Sequence, residues 1–137
     1  MSQNPTLAHA LRLTALRLEA DTTPYRWTHQ GHCNCGHLAQ TLTELSPQQI
    51  HTAGLERPGD WSEHLRDYCP SSGLAIDGII SMMLEHGINA DELAHLERLS
   101  DPRTLAALPT HERHLDYRDR RDVVRYLRLW ADRVAAR

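Results

Sequence analysis

Gly31-His32-Cys33-Asn34-Cys35-Gly36-His37 is the one stretch of this 137-residue chain where groups able to carry chemistry are dense. One residue separates Cys33 from Cys35, His32 and His37 flank the pair, His29 lies just upstream and Cys69 well downstream. Thiolate and imidazole are the ligands that borderline-soft Zn²⁺ prefers, and a structural zinc site needs four of them. Cys33, Cys35, His37 and Cys69 would make such a set, with His32 or His29 able to take the place of His37. The spacing is tighter than the usual Cys-x₂₋₄-Cys, and the downstream cysteine is single rather than paired, so spacing alone does not specify zinc.

The same residues support two further readings. A cysteine near a helix N-terminus feels the positive end of the dipole, which lowers its pKa and favours the nucleophilic thiolate. A thiol enzyme or redox sensor would then use Cys35, just behind an N-cap at Asn34, or Cys33, with His32 or His37 as base. Cys33 and Cys35 cannot pair with each other without strain, so a reversible disulfide would need Cys69. Over two residues, Cys35-Gly36 resembles the nucleophile position of papain-like cysteine hydrolases. Those folds present the partner histidine from a sheet, and no strand pattern occurs here. The third reading is structural: a free cysteine packs as a small hydrophobe, and Cys69 just before Pro70 fits that role.

Composition removes several alternatives. All 15 basic residues are arginine, which excludes a phosphate-loop lysine, a Schiff-base lysine and a lysine general base. With no phenylalanine, the aromatic core must come from Trp27, Trp61, Trp130 and the tyrosines. A net charge of −3 argues against broad, nonspecific nucleic-acid binding and leaves a protein partner or a second copy of the chain. No run of apolar residues is long enough for a membrane span. The stretch Met1 to Pro5 lacks the pattern of a secretory leader, so a reducing cytoplasmic setting is the expectation.

The elements that must position the cysteines read almost entirely as helix. Apolar spacing predicts helices over 6–20, from Asn34 through Leu45, over 74–86 and over 118–135. Ser46-Pro47-Gln48-Gln49 reads as a capping box, Asp60-Trp61-Ser62-Glu63 repeats that start signal, and Asn89-Ala90-Asp91-Glu92 caps a further helix. Asp60 and Asp101-Pro102 open further short helices, and Gly54, Pro70 and Gly87 supply stops. The expectation is an all-α bundle of about seven helices, several of them short, in one domain over 1–137.

Other constellations are weaker. Residues 79–96 have the spacing of a helix-turn-helix, but the second helix carries Asp91, Glu92 and Glu97 where a groove reader needs donors, so a plain αα-hairpin is expected. Glu92-Leu93-Ala94-His95 is a lone Glu-x-x-His pair, whereas di-iron bundles need two such pairs and two more glutamates. The final helix interleaves arginines with aspartates, with Arg118–Asp122 and Arg128–Asp132 at salt-bridge spacing. That reads as a solvated face, although arginines could also hold an acidic partner by bidentate contacts. Function is therefore expected to be that of a small binding or interaction protein, with zinc at the Cys/His segment as its cofactor. A thiol enzyme or redox sensor is the alternative.

Overall fold

In the computed structural model, residues 6–20 and 22–136 are described, so the segment Met1 to Pro5 lies outside them. Eight α-helices and one 3₁₀ turn make up the regular structure, and no strand occurs among the described residues. The helices are α1 (Leu7–Glu19), α2 (Asn34–Thr43), α3 (Pro47–Gly54), α4 (Trp61–Arg66), α5 (Ala75–Leu84), α6 (Ala90–Arg98), α7 (Pro102–Leu105) and α8 (Arg120–Ala135). The 3₁₀ turn is Thr110–Glu112.

Local chemistry accounts for the boundaries. The capping box at Ser46 forms and the Asn89 cap is reciprocal as well, the Ser46 and Asn89 side chains accepting from the third helical N–H while Gln49 and Glu92 reach back. Asp60 caps α4 as its sequence predicts, but that helix stops at Arg66, short of Pro70. The start of α2 differs in register. Cys33 is its N-cap, its sulfur accepting from the Gly36 N–H, and Asn34 is already helical. The Asn34 side chain is thereby free to act elsewhere.

α2 lies at the centre. It packs against α1, α3, α5 and α6, and its Cys35, Leu38 and Ala39 are fully buried. α8 lies along α1, and two cross-helix ion pairs tie them: Arg12 to Asp132 at 2.9 Å, and Arg128 to Glu19 with both distances 2.8 Å. The charges on α8 thus join it to its neighbour, where spacing had suggested pairs along one helix. The expected α5–α6 hairpin opens out instead, because α5 packs mainly on α2 and α3 whereas α6 packs mainly on α4 and α2. The Glu-x-x-His pair is structural, with Glu92 in the capping box and the His95 ring bonded to Ser100.

Candidate functional site

The Cys/His segment is held by reciprocal capping between α2 and α6. Asn34, fully buried, donates through Nδ2 to the carbonyls of Leu96 (3.1 Å) and Glu97 (3.2 Å), in the last turn of α6. The same group donates to the Tyr117 carbonyl at 3.1 Å, and the Tyr25 hydroxyl donates to Asn34 Oδ1 at 2.6 Å. In return, the Glu97 carboxylate accepts the Cys35 N–H at 2.7 Å, where it meets the positive end of α2. Each helix end thus supplies what the other leaves unsatisfied.

The thiols lie inside this arrangement. Cys35 donates from its sulfur to the Leu93 carbonyl at 3.1 Å, and Cys33 accepts from Gly36 at 3.4 Å. Both sulfurs also neighbour the Glu97 carboxyl. Burial pushes both thiols well above their ordinary range, with the negative charge of Glu97 adding to it. Desolvation therefore outweighs the helix dipole that would favour a thiolate. Burial also raises Glu97, against the opposing bonds from Cys35 and the two thiols.

The remaining predicted residues are placed elsewhere. Cys69 is exposed in the loop after α4, where its N–H donates to Asp77 Oδ2 at 3.3 Å. Asp77 itself holds Arg57 through two oxygens, at 2.9 and 3.0 Å. His37 is buried and points Nε2 at the Pro24 carbonyl, 2.8 Å away, so that nitrogen carries the proton. Burial pulls its pKa down to about 4. His29 and His32 lie in the loop before α2, stacked on each other. Among the described residues, no group of three or more His, Cys, Asp or Glu side chains is placed to hold a metal ion.

Gln30 is the residue that sequence reasoning missed. Its carbonyl accepts the Trp61 indole N–H at 2.8 Å, and its side-chain nitrogen donates to the Gly54 and Gly59 carbonyls. Its side-chain oxygen accepts from His64 Nε2 at 2.9 Å, and its backbone N–H donates to His51 Nδ1. A Cβ on Gly36 would collide with the backbone of Gln30 and Gly31, so glycine is required by close approach. Nothing in residue type marks Gln30, because its role comes from partners spread over α3, α4 and the loop between them.

Beside this hub is a cleft of about 240 Å³ lined by Trp27, Gln30, Cys33, Asp60, Trp61 and Glu97, among others. The Arg98 guanidinium lies 5.2 Å from the Trp27 ring and 3.6 Å from Asp60, and the Arg118 guanidinium also lies 5.2 Å from the Trp27 ring. A larger groove of about 510 Å³ runs over α8, with Leu18, Val124 and Leu129 among its lining and arginines along its edge. Of those, Arg121, Arg125 and Arg128 are bound to Asp119, Glu112 and Glu19.

No helix among the described residues is long and apolar enough to cross a membrane. Comparison with protein-family models, with curated proteins and with solved structures finds no match.

Proposed function

We propose that this chain is a small-ligand binding module, and that its ligand is a compact cation, an amine or an amidine, held between Trp27 and Trp61. The observation that carries the reading is the cleft lining: its titratable groups are Cys33, Asp60 and Glu97, with no basic residue among them. Holding a carboxyl group as buried as Glu97 is costly, and a perturbed acid at a cavity wall marks a candidate binding site. A ligand cation would offset that cost, and indole faces add cation–π attraction. Arg98 shows the preference from within the chain, since it brings a cation to both Trp27 and Asp60. At ~30 Å³ per water, the cleft has the volume of about eight waters, which suits a ligand of few heavy atoms.

Disulfide capture tests the site and the ligand class together. At mildly alkaline pH the Cys33 thiol loses its proton to solvent and the thiolate so formed attacks cystamine, forming a mixed disulfide and expelling cysteamine; 3,3′-dithiodipropionate is the anionic counterpart. Exposed Cys69 is the internal reference. The expected result is a cystamine preference at Cys33 about tenfold above that at Cys69, reduced by Glu97→Gln. Equal preference at the two cysteines, or no capture at Cys33, would overturn the reading.

Zinc is the competing reading, and it rests on spacing. Hydrogen bonding supports a knot made by protein alone, because the Cys33 sulfur, the Cys35 thiol and His37 Nε2 all have protein partners. On our reading, excess chelator leaves the melting temperature unchanged. About one zinc per chain, with a lower melting temperature after chelation, would establish the zinc reading instead.

A further inference from the structure

His29, His32 and His51 form a stack that the cleft does not use. Their ring centroids lie 4.2 Å apart between His29 and His32, and 3.9 Å between His29 and His51, with the planes within 24° and 17° of parallel. Two come from the loop before α2 and the third from α3, so the stack joins loop to helix. Its hydrogen bonds set its protonation. His29 Nδ1 accepts the Gly31 N–H at 3.1 Å, and His51 Nδ1 accepts the Gln30 N–H at 3.1 Å. Each needs a lone pair at Nδ1, hence a neutral ring with its proton on Nε2.

We propose that this stack is an acid-operated clasp, in which protonation at mildly acid pH frees the loop that carries Trp27, Gln30 and Cys33 and so opens the cleft. The opening rests on the binding reading above, whereas the clasp stands on its own geometry. A proton on Nδ1 turns an acceptor into a donor facing another donor, and it places an imidazolium against neighbouring rings. The groups acting most strongly on its two loop histidines give them no compensation. Arg26 acts on both loop histidines from the loop itself. From α2, His37 lies 6.0 Å from His32 by ring centroids, and from α1 Arg17 binds the His37 carbonyl. From α4, buried His64 holds the Gln30 side chain. No carboxylate is among the groups acting most strongly on His29 or His32. Burial first, then the neighbouring cations and imidazoles, lower both. The clasp is therefore closed while its rings are neutral, and His29 and His32 leave that form only below the ordinary histidine value.

The test is amide hydrogen exchange at Gln30 and Gly31, corrected for intrinsic rates, from pH 8 to pH 5. Protection at both is expected to fall by about tenfold per pH unit once the rings titrate, while α8 amides keep theirs. The double variant His29→Asn with His51→Asn places a non-titrating acceptor near each Nδ1, and it should abolish that dependence. Imidazole ¹⁵N shifts of the wild type supply a check that needs no variant, and they should show the Nε2–H form for His29 and His51 at neutral pH. Protection independent of pH, or a proton on Nδ1 at neutral pH, would overturn the clasp. Acrylamide quenching of tryptophan emission, which needs no thiol, reads the cleft separately. Increased quenching in acid supports opening, and loss of amide protection without it overturns the opening alone. The cystamine test stands apart from both.

Discussion

At the scale of single residues, the knot depends on side chains whose types look ordinary. Asn34 is the clearest case. A buried carboxamide serving three carbonyls cannot be replaced by a shorter apolar group without leaving acceptors unpaired. Asn34→Ala is expected to destabilise the fold by about 2–4 kcal/mol, measured by urea denaturation, because several buried polar groups lose partners together. A cost below about 1 kcal/mol would mean that water or relaxation replaces the asparagine. In the sequence, Asn34 reads as an N-cap, a surface role. Its true position follows from Cys33 taking the cap, and no local pattern separates those two registers.

Among the elements, the helix signals were largely legible. Reciprocal caps at Ser46 and Asn89 and the stop at Gly87 lie where their residue types place them, because capping is local chemistry. What could not be read was pairing between helices. Whether Arg128 meets Asp132 along α8 or Glu19 on α1 depends on docking, and the structure favours the bidentate contact across the interface. Two helix ends also depart from the glycine rule, since α2 and α6 close on Glu44 and Leu99 with φ of 60° and 51°. Left-handed backbone costs a non-glycine residue about 1 kcal/mol. Exposed Glu44 therefore gives a clean test: Glu44→Gly is expected to raise stability by about 0.5–1 kcal/mol in thermal unfolding. A loss of stability would show that the Glu44 side chain contributes more than its strain removes.

For the whole molecule, the all-α class was evident from periodicity, whereas the candidate site was only partly so. The Cys/His segment was visible, but the residues packed around it were not: Glu97, Gln30 and Trp27 come from a helix and a loop with no metal-like spacing. The buried and half-buried histidines nevertheless have a global consequence. His37, His29, His32 and His64 are all lowered, chiefly by burial, so the folded state resists protons that the unfolded chain accepts. Stability is full above pH 6.5 and declines as pH falls toward 4, with His37 alone accounting for about 3 kcal/mol. Glu97 works in the opposite direction, because its raised pKa favours the fold on the acid side. Denaturant midpoints from pH 7.5 to pH 4.5 should therefore fall steeply, and His37→Gln should flatten the fall. A midpoint constant across that range would contradict the burial of these rings.

Of two equally buried thiols at the α2 N-terminus, only Cys33 borders the cleft. Native-state labelling with a small neutral alkylating agent, mapped by mass spectrometry, tests this most directly. Exposed Cys69 should react first, Cys33 next, and Cys35 last by about tenfold or more, with Arg98→Ala speeding Cys33 alone. Cys33 and Cys35 reacting at the same rate, or Cys35 ahead, would contradict the cleft and with it the proposed binding site.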